Sequence, residues 1–347
     1  MNDAVRLARL KGVREAERIL AILDVRPRLR ETYERVDVFD ALAWLDVRVM
    51  FRPLEGLLGA YMRGAQPGAL ISTRRPLSVQ RFTAAHELGH AILNHEPSLD
   101  SPNVLRRAAY SQFHPKVSGF ASYVQEIEAD AFAGAFLLPI WLVTHHARKH
   151  GWSRNDLAAP DIVYQLSLRC GASFQATIWA LERHRIISAE DRNRLLNVKP
   201  KALKSHLGHA LPVAETRADA WSLTKEDASS AIPTVLGDTV TVVLDQLAGA
   251  GYLWSKSGSS EFLEELNSTV SMDSDLIGAA SISRTLFKTV IAGNAKLDFA
   301  HKRPWEHSAF EKATFCIKVN EPEKGLSRAN RSRLLAQVTE QRKPNAF

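Results

Sequence analysis

His86, Glu87 and His90 stand in the run His-Glu-Leu-Gly-His. Residues four apart share one face of a helix, so both imidazoles can aim a nitrogen at a single ion, and the Glu between them leans toward the same cavity. Two neutral nitrogen ligands and a carboxylate placed to take a proton from water are the parts of a zinc hydrolase. With 12 His in 347 residues, such a motif arises by chance roughly 0.02 times in a chain of this kind. The alternative is a surface helix bearing solvated His and Glu.

Catalytic zinc takes three protein ligands and keeps one position open. The next acidic cluster is Glu126-Ile127-Glu128-Ala129-Asp130. Glu126 and Asp130 share a helix face, which allows Glu126 to complete the metal site and Asp130 to accept a hydrogen bond from a ligating imidazole. Glu128 points about 160° away on the same helix and is expected in solvent. His95 is expected on the wrong face to join the ligands, and His145, His146 and His150 on a polar helix face. Tyr110, His114 and Tyr123 lie in or beside an irregular segment, 96–125, where one of them can donate to a developing oxyanion. The run 59–64, Gly-Ala-Tyr-Met-Arg-Gly, is expected to offer an edge strand to an extended peptide.

The elements that must hold these residues follow from periodicity. Residues 3–23 place Val5, Leu7, Leu10, Val13, Ile19 and Ile22 at helical spacing, and a second helix is expected over about 37–45. Val47, Val49 and Phe51 alternate as a strand does, and 56–63 and 68–73 read as further short strands. From Ser78 the period becomes helical and carries the His-Glu motif. A strong helix over the Glu126 cluster stops near Pro139, and helices continue to about 196. Residues 198–230 lose periodicity and read as a linker. Beyond it, Val240, Val242 and Leu244 alternate, and 282–292, 295–301 and 313–319 are strand-like, which indicates an antiparallel sandwich. The organisation expected is therefore 1–197, a metallopeptidase domain; 198–230, a linker; 231–321, a β-sandwich; and 322–347, a basic tail.

Composition bounds the remaining possibilities. Lys plus Arg (45) less Asp plus Glu (38) gives +7, which permits but does not require an acidic partner or nucleic acid. Cys170 and Cys316 are too few and too far apart for a disulfide framework or a cysteine zinc site, and suit a reducing cytoplasm. No secretory leader is expected, and the longest apolar run, around AFLLPIWLV, is interrupted by proline.

QRFTAAHELGH followed by EIEADAFAGAFLLP resembles the ImmA/IrrE family of metallopeptidases, through Arg81, Phe82, Thr83, His86, Glu87, His90, Glu126, Ala129, Phe132, Ala133, Leu137, Leu138 and Pro139. The resemblance covers about 35–190. It implies a gluzincin-like site with His86, His90 and Glu126 on Zn2+, Glu87 as general base, and cleavage of one protein partner, typically a helix-turn-helix repressor. Within it, 161–187 has the look of a helix-turn-helix, with Gly171 at the turn and Ser173 capping the next helix. In the family this segment belongs to the peptidase fold, and packing is favoured over DNA reading.

Residues about 230–320 resemble the chagasin-type inhibitors of papain-like cysteine peptidases, through Gly237, Asp238, Val240, Leu244, Gly251, Tyr252, Trp254, Arg303, Pro304 and Trp305. The family's Asn-Pro-Thr-Thr wedge is replaced here by Leu247-Ala248-Gly249-Ala250, and its glycine-rich middle loop is reduced to Ile277-Gly278-Ala279-Ala280. A recognition module is thus favoured over an inhibitor, with Tyr252, Arg303 and Trp305 as candidate partner contacts. A flexible linker would let it capture a partner by tethering.

The fold class expected is α+β: a mostly helical zincin-like metallopeptidase domain with a small sheet, plus a C-terminal all-β immunoglobulin-like sandwich. The function expected is a cytoplasmic zinc endopeptidase acting on a protein substrate, with no membrane role and direct nucleic-acid binding not favoured. The alternatives are a non-proteolytic regulator that binds a repressor or DNA, or inhibition of cysteine peptidases through the C-terminal domain.

Overall fold

Helix α1 (Asp3–Ile22) buries its small residues and exposes several large ones. Ala8, Gly12, Ala16, Ile19 and Leu20 are buried, whereas Leu7, Leu10 and Ile22 are exposed. A seam of small side chains one turn apart lets a second backbone approach closely. That backbone is helix α5 (Phe120–Leu137), which packs along α1. A Cβ on Gly12 would clash with the Glu128 carbonyl oxygen, well inside van der Waals contact, and stand 2.9 Å from the Phe132 amide nitrogen.

These features come from a computed structural model, which describes residues 3–28, 34–96, 98–100, 120–207, 218–228, 230–272 and 281–321. Tyr110, His114, the loop 277–280 and the tail 322–347 lie outside the described residues. The secondary structure is α+β, helical toward the N-terminus and β toward the C-terminus, and the chain divides into two units.

The first unit comprises the described residues of 1–145 and 166–192. After α1 come α2 (Val25–Arg28) and α3 (Val38–Trp44), the latter capped by Asp37, whose carboxylate accepts from the Phe39 and Asp40 amides. Strands β1 (Arg48–Arg52), β2 (Gly59–Met62), β3 (Gly68–Ser72) and β4 (Ser98–Asp100) form a sheet in the order β1-β3-β2-β4. The only parallel pair in it is β1 with β3. Helix α4 (Leu77–Ile92) is buried almost all round from Gln80 to His90. A helix so enclosed cannot keep charged side chains unless they have internal partners. The unit also holds the first half of α6 (Ile140–Lys149), the end of α7 (Pro160–Cys170) and α8 (Phe174–Arg183).

Gly171, at φ +64°, makes the turn between α7 and α8, and Ser173 caps α8 by accepting from the Ala176 amide. Its neighbour Arg81 donates to the Gly171 carbonyl at 2.9 Å and to the Val36 carbonyl. The turn that looked like a DNA-binding motif is therefore fastened to the helix carrying the His-Glu motif. By composition, Tyr123–Lys149 is apolar enough to cross a membrane. Here α5 ends at Leu137 and α6 begins after Pro139, 61% of that apolar window is buried, and α5 packs on both α1 and α4. Its apolarity is that of a core helix.

The second unit comprises residues 146–165 and 193–322. Its strands form two four-stranded sheets. Strands β5 (Ala220–Leu223), β7 (Thr239–Gln246), β10 (Ser281–Thr289) and β9 (Leu263–Met272) make one, in that order; β6 (Ala231–Val235), β12 (Glu311–Asn320), β11 (Gly293–Lys302) and β8 (Leu253–Ser257) make the other. Val240, Val242, Leu244, Leu286 and Phe287 are buried in the first, and Leu297, Phe299, Phe315 and Ile317 in the second. The expected all-antiparallel pattern holds only in part, because β5 runs parallel to β7 and β6 parallel to β12. Both parallel partners are edge strands too short to announce themselves by alternation.

Residues 198–230 hold ordered elements where a bare linker was expected. They include α9 (Pro200–Leu207) and β5, whose Trp221 and Leu223 are buried. Within the unit, Gln165 grips β5 on both sides: its amide donates to the Ala220 carbonyl at 2.8 Å and its oxygen accepts from the Ser222 amide at 2.9 Å. The Tyr164 hydroxyl donates to Asp219 at 2.9 Å, and Lys204 pairs with Asp219 at 2.8 Å. His146, expected on a polar face, is buried, and the imidazole of His150, expected there too, is enclosed, its Nε2 3.5 Å from Asp227 Oδ1.

Candidate metal centre

Three donors converge where α4 meets α5. His86 Nε2 and His90 Nε2 are 3.0 Å apart; His86 Nε2 lies 3.4 Å from Glu126 Oε2 and His90 Nε2 3.7 Å from Glu126 Oε1. All three residues are buried. Bonds of about 2.0–2.1 Å to a tetrahedral ion place ligand atoms about 3.4 Å apart, so the donor set fits one such ion. It is the only such group among the described residues.

Gly89 lets the two helices approach: a Cβ there would stand 3.2 Å from the Ala129 Cα and from Phe132 side-chain atoms. The glycine inside the motif is thus a steric requirement of the site. Each imidazole is held on its far nitrogen. His86 Nδ1 is 2.9 Å from Asp130 Oδ1, where a carboxylate fixes the tautomer that leaves Nε2 free for a metal. His90 Nδ1 is 2.9 Å from His95 Nδ1, and His95 Nε2 is 2.8 Å from Glu128 Oε2. Glu128 in turn pairs with Lys11 Nζ of α1 at 2.7 Å. Glu128 and His95 are buried, so the expectation of a solvated Glu128 is corrected, while His95 stands outside the donor set and contacts it through His90. Helix α5 is covered on two faces, by α4 and α1, and a reading that allows one buried face puts Glu128 in water.

Burial, then the neighbouring His86 and His95, push the His90 pKa far below its usual range. His95 is also lowered, chiefly by burial, against the opposing hydrogen bond and charge of Glu128. Both are neutral at pH 7, the form in which an imidazole lone pair binds a metal.

Glu87 is fully buried. A Cβ on Gly59 would sit 2.5 Å from Glu87 Oε1 and from Thr83 Cγ2 and 2.9 Å from the Leu70 carbonyl oxygen, so β2 passes the carboxylate at a distance that only glycine permits. Two residues along, Tyr61 stacks on His90 with ring centroids 6.2 Å apart; burial raises its hydroxyl pKa, against the pull of Arg63. Strand β2 is not the free edge that was expected. It lies between β3 and β4, with Gly59, Ala60 and Tyr61 facing Asp100, Leu99 and Ser98, and β4 is the edge. Tyr123 lies on α5 one turn before Glu126.

In the second unit, Tyr252, Arg303 and Trp305 come together at one end of the sheets. The Arg303 guanidinium carbon lies 4.5 Å over the Tyr252 ring, and its Nε donates to the Ala250 carbonyl at 3.0 Å. Gly251, at φ +80°, leaves room for Trp305, which a Cβ would meet at 3.1 Å. Trp305 and Phe310 are about 70% exposed, at 71% and 68%. Buried His301 stacks on Trp254 at 4.6 Å, and Tyr252 packs on His301 and Phe310. The family resemblance pointed to the arginine and tryptophan; His301 and Phe310, which complete the aromatic cluster, were missed because neither belongs to the motifs that carry it.

No curated protein matches the chain. Among solved structures, it resembles the cysteine protease inhibitor EhICP2 from Entamoeba histolytica (18% identity, 28% of this chain and 94% of that one, TM-score 0.27). It also resembles Amebosin (25% identity, 29% and 95%, TM-score 0.24) and PbICP-C in complex with falcipain-2 (17%, 29% and 98%, TM-score 0.21). Two stretches match protein families: residues 44–178 match the IrrE N-terminal-like domain, Peptidase_M78, and residues 234–319 match the Chagasin family peptidase inhibitor I42.

Proposed function

We propose that the chain is a zinc-dependent endopeptidase of the zincin type that cleaves one protein partner, a helix-turn-helix transcriptional repressor, in the cytoplasm. The observation that carries the reading is the convergence of buried His86, His90 and Glu126, with Glu87 on the same helix. Bound zinc supplies Lewis acidity, which makes a water molecule a nucleophile at neutral pH and polarises the peptide carbonyl. Glu87 takes the proton from the attacking water and passes it to the leaving amine. Asp130 holds His86 in the tautomer that ligates through Nε2. The match of 44–178 to Peptidase_M78 supports a peptidase; the repressor as partner follows from the family resemblance.

For the C-terminal unit we propose an immunoglobulin-like sandwich that captures a protein partner through Tyr252, Arg303 and Trp305. An exposed Trp beside an Arg stacked on Tyr is the composition of an interface hot spot. The match of 234–319 to the inhibitor family favours a second reading, binding of a cysteine peptidase by the same loops. The test incubates the purified chain, loaded with zinc, with candidate small helix-turn-helix proteins, taken first from neighbouring genes, and reads fragment masses. One discrete cut, abolished by a chelator and restored by zinc, is expected; an intact partner contradicts the assigned substrate.

A further inference from the structure

The two imidazoles of the metal centre are held in different ways. His86 meets a carboxylate directly, at Asp130. His90 meets a second imidazole, His95, and only through it the carboxylate of Glu128, which Lys11 holds from α1. We propose that His95 is a positioning residue: backed by Glu128 and Lys11, it fixes the tautomer and ring orientation of His90, so that the N-terminal helix contributes to metal affinity. The inference rests on reading His86, His90 and Glu126 as metal ligands.

The hydrogens along this line have one consistent assignment. His90 Nε2 faces His86 and Glu126, so its proton must sit on Nδ1 if Nε2 is to ligate. That proton points at His95 Nδ1, 2.9 Å away, which must accept. His95 then carries its proton on Nε2 and donates to Glu128 at 2.8 Å. The carboxylate sets the direction of the whole line, since an ionised carboxylate only accepts. Its buried charge needs compensation, and Lys11 supplies it at 2.7 Å from the same oxygen. Lys11 reaches there because Gly12 beside it lets α1 lie against the Glu128 backbone. The Tyr61 ring lies nearly parallel to that of His90, with centroids 6.2 Å apart. Partners beyond the ligands that orient a metal-binding His typically account for 10–100-fold in metal affinity.

The test measures zinc affinity of the metal-stripped full chain at one pH, by competition with a chromophoric chelator. His95→Leu is expected to weaken binding about 10–100-fold, and His95→Gln, whose amide oxygen can accept from His90 Nδ1, to stay within about fivefold of wild type. Glu128→Gln, alike in shape but uncharged, is expected to fall between them. A purely structural role would penalise both His95 variants alike and spare Glu128→Gln. Nitrogen-15 shifts of His90 in the zinc-loaded chain give a second readout: one Nδ1-protonated tautomer in wild type, a mixture in His95→Leu. Should the His95 variants fail to fold, Lys11→Met, at a half-exposed site, is expected to lose about two- to fivefold. Wild-type affinity in His95→Leu, or in Lys11→Met where that variant decides, overturns the proposal alone. A wild-type chain that takes up no zinc overturns the metal-centre reading and this inference with it.

Discussion

Gly12→Ala isolates the closest helix contact behind the metal centre. In an exposed helix the change would stabilise by about 1 kcal/mol, because glycine is the poorer helix former. Here the new methyl meets backbone: the Phe132 amide nitrogen at 2.9 Å and, closer still, the Glu128 carbonyl oxygen, with the Ala131 Cβ at 3.0 Å. Ordinary contact begins at 3.4 Å, so α1 must retreat by at least about 0.5 Å along its whole seam. No side-chain rotation relieves a clash with backbone. Overpacking of this kind costs about 1–3 kcal/mol, and more where backbone must move. The net expectation is a loss of about 1–3 kcal/mol, a fall of roughly 3–8 °C in Tm for a unit of this size. Thermal unfolding of the metal-free chain by circular dichroism reads it directly. A Tm equal to or above wild type would refute the argument, since it would mean that α1 does not lie against α5 as described.

Three further changes probe other parts of the molecule. Gly59→Ala crowds Glu87 Oε1 at 2.5 Å while leaving the three ligands on α4 and α5 untouched; peptidase turnover should fall at least about tenfold with zinc content unchanged, and equal turnover would show that Glu87 tolerates displacement. Burial, aided by the charge of Asp219 and opposed by the amides of Asp219 and Val235, raises Asp238 from 3.8 to about 7. Its native form therefore binds a proton that the unfolded form has released, and the stability this contributes is complete below about pH 4 and lost as pH rises to about 7, on the order of 2–4 kcal/mol. Denaturant titrations should show the gap between wild type and Asp238→Asn shrinking across that range; a constant or widening gap would contradict the assignment. Trp305→Ala, at a site 71% exposed, should leave Tm within about 1 °C while weakening capture of the protein partner by at least about tenfold; undiminished capture places the binding surface elsewhere.

The candidate metal donors were legible because their chemistry is local. Two His one turn apart and a Glu–Asp pair one turn apart state their geometry in the sequence, and α4, α5 and the strands after Val47 follow from period alone. What escaped was everything set by a second packed surface. Leu7 and Leu10 looked like the core face of α1, yet Ala8, Gly12 and Ala16 are buried because the partner is a backbone at close range. Glu128 was assigned to solvent since one helix face was counted where two are covered, and the contact of His95 with His90 has no spacing that states it. β2 was taken for an edge because β4, only three residues long, carries no alternation to read. β5 hid within a polar stretch for the same reason, and its pairing with β7 and its hydrogen bonds to Gln165 reveal it.

The most direct test of the central claim compares the zinc-loaded wild-type chain with Glu87→Gln on the same protein substrate. Zinc content must be measured on both proteins before the reaction. Glutamine keeps the shape and burial of the side chain but cannot take a proton from water, so the variant should retain one equivalent of zinc and lose about 10²–10⁴-fold in cleavage rate. Undiminished cleavage by Glu87→Gln with zinc bound would contradict the account.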